Sequence, residues 1–212
     1  MPVPWEAPIK QSKQLTVFAG PDLLKAPAWG AQLFKAVLDD FNRLAKVNKL
    51  GVTLVESKVA PDENTAAGAN VQIEAATGTV TFTSFGEKFS AFLSQFAMEG
   101  GTALIPQGGP TRRAFIFVPI NPMTGFTSDA RGVGDGVKLS QAVHELLHAC
   151  GLLKTDPGHN RPEPNPDLFL TDTFFKEGAQ PSDDRIELGF HKFLPPTFLN
   201  PRTASLIRSN WS

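Results

Sequence analysis

The stretch Val143-His144-Glu145-Leu146-Leu147-His148-Ala149-Cys150-Gly151-Leu152 places two histidines four residues apart, with an acid directly after the first. On an α-helix, residues four apart share a face about one turn from each other, so His144 and His148 aim their imidazoles at one point. That point suits a tetrahedral Zn²⁺. Glu145 sits about a quarter-turn round the helix, where a carboxylate takes a proton from a metal-activated water. Leu146, Leu147 and Leu152 flank the polar trio and bury the rest of the helix. Two of the chain's four histidines fall inside this otherwise apolar segment, which a solvated helix face has no need of.

Gly151 follows the last periodic residue, the usual place for a left-handed helix stop, and turns the chain back past the metal. A third ligand is therefore expected shortly downstream. The turn-rich run Leu152-Leu153-Lys154-Thr155-Asp156-Pro157-Gly158-His159-Asn160 contains one imidazole, His159. His144, His148 and His159 would leave the fourth zinc position open for water, which distinguishes a catalytic zinc from a structural one. Asp156 is the second candidate. Glu163, Asp167, Asp172 and Glu177 are more distant carboxylates, and the prolines on either side of Glu163 keep it out of a helix.

His-Glu-x-x-His-x-x-Gly followed by a third histidine resembles the metzincin clan of zinc endopeptidases, over about residues 140 to 160. The resemblance implies His144, His148 and His159 as ligands, Glu145 as general base and Gly151 as the turn. It also implies an α+β zincin fold: a twisted mixed sheet with a long backing helix and a zinc-binding active-site helix, followed by a small loop-rich lower lobe. Two features depart from the clan's pattern. Its third ligand stands three residues after the glycine, where this chain has Lys154, which does not ligate zinc while protonated. Its methionine turn beneath the metal has no counterpart, because no methionine follows Met123. Phe193-Leu194-Pro195-Pro196 is the expected substitute, with Leu194 or Phe193 as the apolar floor.

Working outward, the 212 residues are 41% hydrophobic and 19% charged, enough for one well-packed domain. A formal net charge of −1 without a basic block gives no reason to expect nucleic acid or a membrane surface as partner. The start, Met1-Pro2-Val3-Pro4-Trp5-Glu6, has neither a basic nor an apolar signal region, and no apolar run is long enough to span a bilayer. A cytoplasmic location, or delivery by a non-classical route, is expected. The single cysteine, Cys150, excludes an internal disulfide and reads as a small buried apolar residue.

The expected organisation is an extended arm over residues 1–13, an upper catalytic lobe over 14–152 ending in the zinc helix, and a loop-rich lower lobe over 153–212. Gln14 to Ala19 and Gly51 to Glu56 read as strands. Between them, Trp29, Leu33, Phe34, Val37, Leu38, Phe41 and Leu44 recur at helical spacing and predict an amphipathic helix from Pro27 to about Asn48. Asn70 to Ala75 and Thr79 to Thr83 alternate as strands, with Thr77-Gly78 as a hairpin turn between them. Phe89 to Met98 has helical spacing and predicts a short helix. Ala114 to Val118, apolar throughout, predicts a strand buried on both faces. Thr79 to Thr83 and Ala103-Leu104-Ile105 are both candidates for the sheet edge on which a peptide adds as a strand.

Pro119 to Gly136 reads as a long loop feeding the metal helix. Its run Gly132-Val133-Gly134-Asp135-Gly136-Val137-Lys138 lacks the Gly-Lys-Ser/Thr ending of a phosphate loop; Asp135 reads as a helix N-cap or a loop residue, with Ser140 as the second cap candidate. Leu168 to Phe175 reads as a short helix or strand, and Thr203 to Trp211 as a terminal helix.

These readings converge on a zinc-dependent endopeptidase acting on protein or peptide substrates, with Glu145 receiving the proton of the attacking water and returning it to the departing amine. The phenol that some metzincins use for the oxyanion has no counterpart, because the chain has no tyrosine; zinc would polarise the carbonyl alone, or His191 or Arg185 would assist. Phe169, Phe174, Phe175, Phe190, Phe193 and Phe198 point to an apolar specificity pocket. The alternatives are a zinc amidohydrolase on a non-protein amide, or a metzincin-like structural or binding module of a phage or secretion assembly. A base such as Glu145 has no purpose in a purely structural site.

Overall fold

Three alternating or apolar runs make the centre of the sheet: β1 (Gln14–Ala19), β3 (Val71–Ala76) and β7 (Arg113–Pro119). The computed structural model describes residues 3–95, 100–106, 109–123, 132–153, 170–172, 197–199 and 201–212. Its main sheet has five strands in the order β2-β1-β3-β7-β6, with β2 at Thr53–Ser57 and β6 at Gly101–Ile105. β2, β1, β3 and β7 run parallel, and β6 joins antiparallel at the edge, so the sheet is mixed and the fold is α+β.

One face of this sheet carries the main core. Leu15, Val17, Val71, Ile73, Ala114, Ile116 and Val118 point toward two helices, α3 (Ala31–Asn48) and α4 (Asp135–Ala149). From α3 come Phe34, Val37, Phe41 and Leu44; from α4 come Ala142, Val143, Leu146 and Leu147, each no more than 3% exposed. At about 25 cal/mol per Å² of apolar surface removed from water, each large side chain contributes roughly 1.5–3 kcal/mol. That apolar stripe leaves the register of α4 little freedom to rotate. Every residue of β7 is buried, as its apolar run predicts.

The opposite face is partly covered by a hairpin, β4 (Gly78–Ser84) with β5 (Glu87–Leu93). Phe82 stacks on Phe89 at 5.1 Å and lies 4.5 Å from Phe115 and 5.4 Å from Phe117, ring centre to ring centre. This corrects two expectations. The segment from Phe89, expected to be helical, is strand as far as Leu93. The hairpin turn is Phe85-Gly86 rather than Thr77-Gly78, and β3 pairs with β1 and β7 while β4 pairs with β5. The cause is local: Phe85 and Gly86 both have positive φ (49° and 76°), as a two-residue type I′ turn requires.

Other boundaries differ for similar reasons. The arm expected to be extended over residues 1–13 is extended only at its described start and then forms α1 (Ala7–Ser12), helped by a proline in its first turn. A short helix, α2 (Pro21–Lys25), precedes α3. α3 begins at Ala31 rather than Pro27, because Gly30 has φ +93° and stands outside helical space. The N-cap of α4 is Gly134; Asp135 is the first helical residue and accepts an ion pair from Lys138 Nζ at 2.8 Å.

Of the segment 153–212, the described parts are β8 (Leu170–Asp172), its antiparallel partner β9 (Thr197–Leu199), and the expected terminal helix, α5 (Pro201–Trp211). Ala204, Ile207 and Trp211 enter the main core, and Arg208 Nη1 donates to the Asn48 carbonyl at the end of α3 (2.8 Å). Among the described residues no helix is long and apolar enough to cross a membrane.

Candidate metal centre

α4 delivers His144 and His148 to one point. Their Nε2 atoms are 3.2 Å apart and their rings meet edge to face, 74° between planes. Two ligands about 2.0–2.1 Å from a tetrahedral metal stand roughly 3.3–3.4 Å apart, so the observed separation fits a shared cation. The tautomer fits as well. His148 Nδ1 lies 2.8 Å from the Leu152 carbonyl oxygen, which can only accept, so Nδ1 carries the hydrogen and Nε2 of the neutral ring presents a lone pair. Two imidazole nitrogens this close either share a proton or face a cation.

Glu145 is buried at 6% exposure, an environment that a carboxylate tolerates only with compensation. The Thr102 hydroxyl lies 2.7 Å from its Oε2 and 3.1 Å from its backbone oxygen. Gly100 closes the other side, where a Cβ would stand 2.5 Å from Glu145 Oε1. Burial pushes the Glu145 carboxyl up to about 7, and the Thr102 hydrogen bond opposes part of that rise.

Thr102 belongs to β6, so the edge strand of the sheet touches the acid directly. Of the two candidate edges, Ala103-Leu104-Ile105 lies in that strand, whereas Thr79 to Thr83 lies in the separate hairpin. Neither Thr102 nor Gly100 is marked by local sequence. Their role comes from the register that sets Thr102 opposite Ile116 on the helix-facing side of the sheet.

His159, Asp156, Glu163, Asp167, Glu177, Arg185, His191 and the Phe193-Leu194-Pro195-Pro196 turn lie outside the described residues. Asp172 ends β8, which runs beside α4. Among the described residues no group of three His, Cys, Asp or Glu side chains converges on a common point. Cys150 is fully buried and burial pushes its thiol well above its ordinary value, as expected of an apolar filler. Comparison with protein-family models, with curated proteins and with solved structures returns no match.

Proposed function

We propose that this protein is a zinc-dependent endopeptidase of the metzincin-like zincin type. The observation that carries the reading is the pair of imidazole nitrogens 3.2 Å apart on α4, with a buried acid between them in sequence. His144 and His148 would hold the metal with His159 as third ligand. When bound, zinc supplies an acidified water and polarises the scissile carbonyl.

The chain's own residues do the rest. Glu145 accepts the proton of the attacking water and passes it to the departing amine. Thr102 holds the Glu145 carboxyl in a fixed orientation, and the Leu152 carbonyl holds the His148 ring. β6, the outermost strand of its sheet, offers backbone hydrogen-bonding groups to an extended substrate beside the acid. A peptide bound in that way would present its scissile bond beside Glu145.

The test is metal content by elemental analysis together with cleavage of a mixed peptide library, on wild type, Glu145→Gln and His159→Ala. One zinc per chain, lost in His159→Ala, and cleavage abolished in Glu145→Gln with zinc kept, supports the reading. Zinc without Glu145-dependent peptide cleavage would redirect the reading to a non-protein amide or a binding role. Absence of zinc binding by the wild type overturns it.

A further inference from the structure

The last turn of a helix leaves backbone carbonyls without intrahelical partners. In α4 the amides of Cys150 and Gly151 take the carbonyls of Leu146, Leu147 and His148, and side chains from before α1 and from α5 take those of Ala149 and Cys150. Trp5 Nε1 donates to Ala149 O (2.7 Å), and Trp211 Nε1 and Asn210 Nδ2 both donate to Cys150 O (3.0 and 2.9 Å). The Val3 amide donates to Gly151 O (2.7 Å), and Asn210 Nδ2 also reaches Val3 O (3.1 Å). Trp5 and Trp211 are 2% and 1% exposed, and their rings lie 6.5 Å apart. Gly151 has φ +104°, and a Cβ there would stand 2.2 Å from Val3 O and 2.4 Å from Asn210 Nδ2. The turn is therefore gripped from two sides.

The next carbonyl along the chain is that of Leu152, the acceptor for His148 Nδ1. Its position is set by the gripped Gly151 turn. We propose that Trp5, Asn210 and Trp211 are positioning residues for His148: the segment before α1 and the last turn of α5 form one clamp that fixes the Leu152 carbonyl, and through it the tautomer and aim of the imidazole. This rests on the reading of His148 as a metal ligand.

Trp29 provides the control. Its indole also donates to a backbone carbonyl, but that of Pro119 at the end of β7 (2.8 Å), and it is 8% exposed. The experiment compares full-length wild type, Trp5→Phe, Asn210→Leu, Trp211→Phe and Trp29→Phe. Zinc affinity is read by competition with a chromophoric chelator, and the His148 tautomer by long-range ¹H–¹⁵N spectra of the metal-free chain. Thermal unfolding of each variant is measured in parallel.

Loss of an outer-shell partner commonly weakens metal binding by about 10- to 100-fold. Acting one step further out, the clamp variants are expected to weaken zinc about tenfold and to lose the single Nδ1–H form of His148. Trp29→Phe is expected to lower the unfolding temperature with zinc affinity within about twofold of wild type. Clamp variants that melt earlier but keep both zinc affinity and the tautomer overturn the inference. A wild type that binds no zinc overturns the metal reading, and the tautomer spectra still decide whether the clamp acts on His148.

Discussion

Thr102 is the side chain through which the sheet reaches the proposed base. With its hydroxyl 2.7 Å from Glu145 Oε2, Thr102→Val removes a hydrogen bond to a buried acid and leaves the shape almost unchanged. We expect kcat on a cleaved peptide to fall about tenfold with KM nearly constant, and Thr102→Ser to restore most of it. Equal loss in the serine and valine variants would reduce Thr102 to a packing residue. The sequence made His144 and His148 legible because a spacing of four puts them on one helix face, with Glu145 a quarter-turn round. Thr102 and Gly100 were not legible, because what brings them to Glu145 is a strand register set 43 residues away. The Leu152 carbonyl was equally hidden, since a backbone acceptor has no sequence signature.

At the level of elements, the hairpin of β4 and β5 shows where periodicity misleads. Phe89, Phe92, Leu93 and Phe96 satisfy helical spacing, but the Phe85-Gly86 turn folds the segment back and Phe82 and Phe89 stack across the pair. Aromatic residues fit either state until a turn chooses. The ring of Phe82 is the hairpin's main attachment to the sheet through Phe115 and Phe117. Phe82→Ala should cost about 3 kcal/mol, the low end for a phenylalanine truncation, because part of the ring is solvent-exposed. Hydrogen exchange should rise first in residues 78–93, with α4 still protected; simultaneous loss of protection in both would mean that the hairpin is not a separate unit. The long helix α3 and the strands β1, β3 and β7 were readable because strong periodicity and burial agree there.

For the whole molecule, stability against pH is shaped by its two raised carboxyls, Glu145 and Glu74, and Glu74 lies apart from the proposed metal centre. Burial raises its carboxyl above the ordinary value, against the hydrogen bonds from Gln72 and from the Leu23 and Asp22 amides. The folded chain therefore holds this proton more tightly than the unfolded one. The stability so contributed is complete below the unfolded carboxyl value and is lost as pH rises through the higher folded value. Glu74→Gln should leave urea midpoints little changed near pH 4 and raise them near pH 7. A variant less stable than wild type at pH 7 would show that the ionised carboxylate is the favoured form. The order of the five strands was not readable from the sequence, because parallel neighbours leave no short turn between them. The α+β class was readable, since strands and helices alternate with clear periods in the first half.

The grip of Val3 and Asn210 on Gly151 also has a consequence in time. The Asn210–Val3 contact joins residues 207 positions apart, so it forms only when nearly all of this sequence has been synthesised. A growing chain emerges from its first residue onward, and so distant a pair meets late. Throughout that interval the segment with His144, Glu145 and His148 lacks the contacts that close its far end. A nascent chain halted before Asn210 would carry those three residues without the finished turn behind them.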